Sequence, residues 1–210
     1  MSGIVGLVKY GLAGNIPSIE KALQKIGAEV RIVEKESDFE GIERLVLPGV
    51  GSFTDAMEEM ESAGIRSVLQ RAIESRMPVL GICLGMQVLG KIGFEFGETR
   101  GLNWIDGEVR RIECKGSVPH IGFNTVKIVR ESPLLQGLGE EDEFYFMHSY
   151  EVRNYTDVVG LTTYSDHVFV SAVQRENIFG VQFHPEKSRE AGLKVFQNFL
   201  KIESRKSSAV

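Results

Sequence analysis

The fold of this chain is decided at residues 77–89, MPVLGICLGMQVL. An apolar run leads into Cys83, which has a glycine two residues before it and two residues after it, and a helix-like segment follows. Such glycines at a strand-to-helix junction are the pattern of a nucleophile elbow, because they let the backbone turn sharply without Cβ clashes. The turn lifts the Cys83 thiol to the N-terminal end of the next helix, where positive potential favours thiolate over thiol. The stretch therefore predicts an enzyme with Cys83 as its nucleophile.

Length, charge and cysteine content exclude several other classes of protein. A chain of 210 residues fits one domain, which we expect at residues 1–203, followed by a polar tail at 204–210. The net charge of -5, without a dense block of Lys and Arg, gives no reason to expect nucleic acid. The apolar runs are too short for a membrane span, and no signal peptide is visible, so we expect a cytoplasmic protein without a structural disulfide. No Cys/His cluster has metal-ligand spacing, and we expect neither a metal nor a cofactor.

The order of the apolar runs predicts the fold class. The first half alternates strand-like runs at 4–8, 30–33, 45–47 and 79–82 with helical runs at 16–26, 55–60 and 65–75. The second half carries β-like runs at 108–112, 125–129, 143–147, 158–163, 168–173 and 179–183, and then a helix at 191–202. Such alternation is typical of a parallel sheet covered by helices on both faces. We therefore expect an α/β fold with a mixed, mainly parallel sheet and an antiparallel extension.

A cysteine nucleophile needs a base and a group that orients the base. His184 stands at the end of a predicted strand, two residues before Glu186. Residues two apart in extended chain project from the same side, so the pair can lie together, with Pro185 fixing the backbone between them. Alone, His-Pro-Glu is equally typical of a surface turn, but the elbow cysteine favours a catalytic interpretation. Glu186 would then support the charged form of His184, which favours the thiolate of Cys83.

The loop Pro48-Gly49-Val50-Gly51 follows the third predicted strand. In open parallel sheets the sites lie at the C-terminal ends of strands, where this loop and Cys83 both fall. Alone, the loop is typical of a strand-ending turn. In this place we expect the backbone N–H groups of Val50, Gly51 and Leu84 to form an oxyanion hole.

Six stretches together carry a resemblance to a known family. They are Tyr10-Gly11 with Gly14-Asn15, residues 47–53 (LPGVGSF), 81–87 (GICLGMQ), 119–124 (PHIGFN), 145–150 (YFMHSY) and 181–188 (VQFHPEKS). With these stretches the chain resembles the class I (triad-type) glutamine amidotransferases over nearly its whole length. Within that family it is most similar to the glutaminase subunits of imidazole glycerol phosphate synthase, because PGVG, PHxGxN and HSY are typical of that branch.

The resemblance implies a flavodoxin-like three-layer fold and a triad of Cys83, His184 and Glu186. Cys83 would attack the side-chain amide of glutamine, forming a γ-glutamyl thioester and releasing ammonia. By the same resemblance, the α-amino and α-carboxylate groups of glutamine would be held by Gln87, His148, Ser149 and Tyr150.

The resemblance also implies a heterodimer with a (β/α)₈-barrel cyclase that receives the ammonia through an enclosed passage. The residues that match family positions at this interface are Tyr10, Asn15, His120, Phe123, Asn124 and Lys187. Two positions depart from the family pattern, since Phe123 stands where the family often has Trp, and Lys9 stands where it often has Asp.

Other interpretations remain open on the sequence alone. The chain could serve another amidotransferase of the same class, be a catalytically silent binding subunit, or be a cysteine peptidase. The complete triad argues against a silent subunit, and the predicted glutamine pocket argues against a peptidase. His120 fits a satisfied turn histidine as well as an interface residue, and His167 suits a polar hairpin tip without a role.

Overall fold

The computed structural model describes residues 3–11, 15–153 and 156–203. Its strands are β1 (Ile4–Val8), β2 (Val30–Val33), β3 (Ile42–Leu47), β4 (Val79–Ile82), β5 (Ile92–Gly93), β6 (Thr99–Arg100), β7 (Glu108–Arg111), β8 (His120–Thr125), β9 (Lys127–Ile128), β10 (Glu143–His148), β11 (Tyr150–Arg153), β12 (Val158–Tyr164), β13 (His167–Arg175) and β14 (Ile178–Val181). Its helices are α1 (Ile16–Lys25), α2 (Phe53–Ser62), α3 (Ile65–Glu74), α4 (Leu84–Gln87) and α5 (Arg189–Lys201). Short 3₁₀ turns lie at Glu36–Phe39, Pro133–Leu135 and Pro185–Lys187.

An eight-stranded mixed sheet forms the centre, in the order β2-β1-β3-β4-β14-β13-β12-β9. The first five strands pair in parallel, and the last three add in antiparallel pairs. A two-stranded ribbon of β8 and β10 and a small sheet in the order β11-β7-β5-β6 lie beside it. The predicted mixed, mainly parallel sheet with an antiparallel extension is thus confirmed.

The central strands β1, β3, β4 and β14 are buried on both faces, and their side chains divide between two cores. In β3, Leu45 and Leu47 pack into one core while Val46 packs into the other, as expected from the alternation of side chains along a strand. Helices α2 and α3 cover the first core, for example with Leu69. Helices α1 and α5 cover the second core, for example with Phe196. The result is a three-layer arrangement of helix, sheet and helix.

Local sequence explains where the covering helices begin and end. In α2 the Ser52 hydroxyl accepts a hydrogen bond from the Asp55 N–H at 3.1 Å and so caps the first turn. Helix α1 has a proline in its first turn and ends just before Gly27, whose φ of +84° suits glycine.

The structure differs from the sequence prediction in the bounds of several elements and in its very short strands. The run at 125–129 is divided between β8 and β9, the helix after the elbow lasts a single turn, and the run at 179–183 ends as a strand at Val181. The strands β5, β6 and β11 were not predicted, because two to four residues are too few to show a periodic pattern. The expected tail at 204–210 and Gly14 of the predicted turn lie outside the described residues. Within those residues, no helix has both the length and the apolar character needed to cross a membrane.

Candidate active site

Cys83 stands on a sharp turn between β4 and α4. Its φ of 54° is unusual for a residue with a side chain, and its N–H donates to the Val181 carbonyl at 2.8 Å. A Cβ added at Gly81 would lie 2.6 Å from the Gly85 carbonyl oxygen, and a Cβ at Gly85 would overlap the carbonyl of Leu47. Both glycines are therefore required by close backbone contacts, and these contacts hold Cys83 in its strained conformation.

His184 and Glu186 follow the end of β14, the parallel neighbour of β4. The His184 Nδ1 and the Glu186 Oε1 lie 2.9 Å apart, and both side chains are almost completely buried. The predicted pairing is present, but its route differs from the expected extended chain, because Pro185–Lys187 forms a 3₁₀ turn that brings the carboxylate back to the ring. Ser188, which the sequence did not single out, accepts from the Tyr145 N–H at 2.9 Å and donates to the His184 carbonyl at 2.6 Å.

The electrostatic surroundings of His184 favour its charged form. Burial alone lowers the pKa of His184, but the nearby Cys83 sulfur and the Glu186 carboxylate outweigh burial and raise that pKa to about 10. The Nε2 atom is buried and makes no hydrogen bond of normal geometry. Since Glu186 occupies Nδ1, Nε2 is the ring nitrogen left to exchange a proton with a reacting group.

One cavity of about 240 Å³ opens at Cys83 and His184. Its lining combines the reactive residues with the predicted oxyanion loop and glutamine pocket: Val50, Gly51, Cys83, Leu84, Gln87, Glu95, Pro119, Met147, His148, Ser149, Tyr150 and His184. Every residue predicted for the oxyanion hole and for glutamine binding therefore lines the same space as the nucleophile. Among the described residues, no group of three or more His, Cys, Asp or Glu is placed to hold a metal ion.

The oxyanion loop lies directly against the elbow. A Cβ at Gly49 would lie 2.7 Å from the Gly85 backbone nitrogen, and Gly51 has a φ of +100°. The Tyr10 hydroxyl donates to the Pro48 carbonyl at 2.7 Å, and burial raises the pKa of Tyr10, so this hydroxyl remains a donor. Tyr10 is only 1% exposed, which corrects the expectation that its side chain meets a partner. The Tyr10 hydroxyl instead holds Pro48, the first residue of the oxyanion loop, in position.

The hydrogen bonds of the Gln87 side chain determine which of its atoms remain free to bind a ligand. Its Nε2 donates to the Tyr150 carbonyl at 2.9 Å and to the Gln182 Oε1 at 3.0 Å. Both N–H groups of this amide are thereby engaged within the protein. Gln87 can therefore present only its carbonyl oxygen, an acceptor, to a molecule in the cavity.

His148 forms a wall of the cavity rather than a donor into it. Its Nδ1 donates to the Tyr150 carbonyl at 2.9 Å, and its Nε2 lies 3.2 Å from the Nδ1 of His120. Burial lowers the pKa of His148 to about 3 and the pKa of His120 to about 4, so both rings are neutral at ordinary pH. Both nitrogens of His148 are then occupied by protein groups.

Glu95 is a cavity residue that the sequence reasoning missed. Its Oε2 accepts from the Phe53 N–H at 2.8 Å. Burial raises the pKa of Glu95, and the Phe53 N–H partly opposes this. The residue lies in a loop between two strands of two residues each, where no motif marks it. Only its position shortly after the elbow helix could have drawn attention to it.

The remaining predicted interface residues differ in exposure. His120 is 2% exposed, with the ring centres of Phe146 and Tyr164 5.0 and 4.0 Å from its own, so the structure favours the histidine satisfied within the protein over the interface residue. Phe123, by contrast, is exposed, with the Arg189 guanidinium 4.3 Å from its ring centre. Asn15, Asn124 and Lys187 are half-buried.

Phe123 belongs to an exposed apolar surface next to the cavity, because it lies on the same side of β8 as Ile121, which pairs with Met147 of β10. We call it the rim, and it consists of Val50, Ile121, Phe123 and Met147. Phe123 also packs edge-on against Tyr145, and the Lys187 ammonium lies 5.5 Å from the centre of the Tyr145 ring. Two rim residues, Val50 and Met147, line the cavity itself.

Known proteins resemble the chain over nearly its whole length. The family described as "Glutamine amidotransferase class-I" matches residues 12–202. "Imidazole glycerol phosphate synthase subunit HisH 1" of Campylobacter jejuni (strain RM1221) is 39% identical over 202 residues, which are 95% of this chain and 100% of that protein. "Imidazole glycerol phosphate synthase subunit HisH" of Desulfitobacterium hafniense (strain Y51) is 42% identical over 198 residues, which are 93% of each chain.

A solved structure described as PurLQS from Thermotoga maritima shares the fold, with a TM-score of 0.73 and 20% identity over 95% of this chain and 98% of that chain. At this level of identity the likeness concerns the fold alone. The family match extends over most of the sequence, and the two relatives are about as long as this chain. On these grounds, the chain belongs to the class-I glutamine amidotransferases.

Proposed function

We propose that this chain is the glutaminase subunit of an imidazole glycerol phosphate synthase, and that it hydrolyses glutamine to glutamate and ammonia. The observation that carries the proposal is the placement of Cys83 and the His184–Glu186 pair at one small cavity. The names of the two relatives, at 39% and 42% identity, support the choice of this branch of the family.

The first half of the reaction uses the Cys83 thiolate and the His184 imidazolium. The Cys83 thiolate attacks the carboxamide carbon of glutamine and forms a C–S bond, while the carbonyl oxygen takes up negative charge. The imidazolium of His184 gives its Nε2 proton to the amide nitrogen, and the C–N bond breaks with release of ammonia. The product that remains on the enzyme is a γ-glutamyl thioester.

The second half regenerates the cysteine. His184, now neutral, removes a proton from a water molecule, and the resulting hydroxide attacks the thioester carbon. The C–S bond breaks, glutamate leaves, and the thiolate–imidazolium pair is restored. In both halves Glu186 holds the Nδ1 side of the ring, so the same Nε2 atom serves first as acid and then as base.

The backbone N–H groups of Val50, Gly51 and Leu84 are proposed to receive the developing oxyanion. All three residues line the cavity, and the Gly51 φ of +100° permits a peptide orientation that other residues rarely reach. Each such donor is typically worth about a hundredfold or more in rate.

The polarity of the cavity suits the main-chain groups of glutamine. The Gln87 Oε1 and the Glu95 carboxylate are both acceptors, so we assign them to the α-ammonium group. Ser149 and the backbone of Tyr150 lie in the same wall and are assigned to the α-carboxylate.

We assign the ammonia to a (β/α)₈-barrel cyclase partner, in a heterodimer. Ammonia released into bulk water would be protonated to ammonium, which is a poor nucleophile, so a covering partner and an enclosed passage are required. The partner joins the ammonia to a ribonucleotide to give imidazole glycerol phosphate and aminoimidazole carboxamide ribonucleotide. The exposed apolar rim, two residues of which line the cavity, supports a covering partner, since exposed apolar patches commonly mark interaction sites.

Glutamate release by the purified chain tests the glutaminase assignment. We expect Cys83→Ala to abolish release, while Cys114→Ala, a change at the other free cysteine, leaves it intact. Unchanged turnover in Cys83→Ala would refute the mechanism. Addition of a barrel cyclase with its nucleotide ligand should raise turnover, because the partner would order the oxyanion loop. Full activity of the lone chain would refute that activation.

A further inference from the structure

The sulfur of Cys83 has a polar neighbour that the triad does not include. The side-chain Nε2 of Gln182 lies 3.6 Å from Cys83 Sγ, within the range of an N–H···S hydrogen bond. Gln182 is completely buried, and its backbone N–H is bound in the sheet to the Ser171 carbonyl at 2.9 Å. The amide is therefore held beside the nucleophile and is not free to turn toward solvent.

The orientation of this amide follows from a single backbone carbonyl. The Tyr150 carbonyl can only accept, and it receives hydrogen bonds from Gln87 Nε2 and from His148 Nδ1, both at 2.9 Å. Gln87 must therefore turn its NH₂ group toward Tyr150, and its second N–H is directed at Gln182 Oε1, 3.0 Å away. With its oxygen facing Gln87, Gln182 presents its NH₂ group to the sulfur. The opposite orientation would place N–H against N–H and a carbonyl oxygen against the thiolate.

We propose that Gln182 is a further catalytic residue, whose side-chain amide donates a hydrogen bond to the Cys83 thiolate and whose orientation Gln87 fixes. The inference rests on the proposed glutaminase function. The donor acts at two points, since it favours the thiolate before attack and stabilises the thiolate again when it leaves the thioester. In the thiol form, by contrast, the S–H can donate to the Met147 carbonyl, 3.9 Å from the sulfur.

Alkylation of Cys83 by iodoacetamide tests the proposal without glutamine or a partner. In Gln182→Met, which keeps the length of the side chain but has no donor, we expect the midpoint of the alkylation rate against pH to move upward by about one pH unit. With glutamine we expect kcat to fall about tenfold and KM to stay within about twofold. Because alkylation does not depend on glutaminase activity, a wild type that released no glutamate would refute the proposed function while leaving this test intact.

Thr162→Val provides the matched control. Thr162 is equally buried, lies in β12 of the sheet that β14 joins just before Gln182, and its hydroxyl donates to the Thr125 carbonyl at 2.9 Å, away from the cavity. We expect this variant to lose comparable stability and to keep the wild-type alkylation profile. An unchanged profile in folded Gln182→Met would overturn the proposal, and so would an equal shift in Thr162→Val.

A measurement on the wild type covers the case in which Gln182→Met does not fold. The Gln182 side-chain amide protons should shift downfield in the NMR spectrum as Cys83 loses its proton. Amide resonances that do not respond to this titration would overturn the proposal.

Discussion

The Leu47 carbonyl oxygen occupies the space that a side chain at Gly85 would need. This contact joins the end of β3 to the first turn of α4, so the strand before the oxyanion loop and the helix after the nucleophile touch backbone to backbone. The oxyanion loop and Cys83 can therefore lie this close together only because residue 85 has no side chain.

Gly85→Ala should consequently damage both the fold and the site. The added methyl group would push β3 and α4 apart, so we expect a loss of about 3 kcal/mol in the free energy of unfolding and a large fall in glutaminase kcat. Urea unfolding measures the first quantity. Gly139→Ala is the control, since an added Cβ there meets no atom within 4 Å. Equal stability of the two variants would contradict the prediction.

Tyr10→Phe should affect catalysis more than stability. Removal of the hydroxyl leaves the Pro48 carbonyl without this buried donor, so the oxyanion loop is less well fixed. We expect kcat to fall about fivefold and the free energy of unfolding to fall by about 1 kcal/mol. Tyr164→Phe removes a similar bond, from its hydroxyl to the Ser117 carbonyl at 2.8 Å, and should leave kcat unchanged. Equal effects of both variants on kcat would refute a special role for Tyr10.

Glu95→Gln should raise the KM for glutamine and leave kcat nearly unchanged. The amide can still accept from the Phe53 N–H, but the negative charge opposite the proposed α-ammonium position is lost. Charge-assisted hydrogen bonds contribute about 1.5–3 kcal/mol, so KM should rise about tenfold or more. Glu98→Gln removes an exposed carboxylate from the same loop and serves as control. A wild-type KM in Glu95→Gln would disprove the assignment.

His184 makes stability depend on pH above neutrality. Its pKa in the folded protein is about 10, compared with an ordinary value of 6.5, because the Cys83 and Glu186 interactions outweigh burial. Between these values His184 holds a proton in the folded state that the same side chain has lost in the unfolded state. This contribution to the free energy of unfolding is therefore complete below about pH 6.5 and disappears as the pH rises toward about 10.

Urea unfolding of the wild type and of Glu186→Gln between about pH 6 and pH 10 measures this effect. The His184 contribution in the wild type should fall by on the order of a few kcal/mol over that window. Glu186→Gln should lose less, because one cause of the raised pKa is gone. Glu190→Gln, at an exposed carboxylate, should follow the wild type. Parallel curves for the wild type and Glu186→Gln would contradict the prediction.

The sequence is sufficient to predict those site residues whose positions follow from the order of the strands. Cys83 and His184 follow two strands whose apolar runs are plain in the sequence, and in a parallel sheet the ends of such strands meet at one edge. The sheet and its covering helices were predictable for the same reason. The very short strands were not, since their pairing depends on tertiary contacts rather than on periodicity.

The remaining site residues depend on contacts that no local pattern reveals. His120 and Phe123 lie in one stretch of β8, yet their side chains fall on opposite sides of the strand, and only the paired structure shows which side is buried. Gln182 lies within the stretch 181–188 that carries the family resemblance, but its orientation follows from Gln87 and from a carbonyl 63 residues further along the chain from Gln87. Glu95 reaches the cavity from a loop without a recognisable signature.

The position of β14 between β4 and β13 also determines at what stage of biosynthesis the active site can be complete. Cys83 is synthesised early in the chain. Its strand, β4, gains its parallel neighbour β14 and the base His184 only after residues 178–186 have been synthesised and have docked. The Gln182 contact to the sulfur bridges 99 positions of sequence. Pairings between such distant segments form late in folding, because the intervening chain must first be ordered. A chain without residues 178–186 has the nucleophile but neither His184 nor Glu186, so ammonia production requires that β14 has joined the sheet.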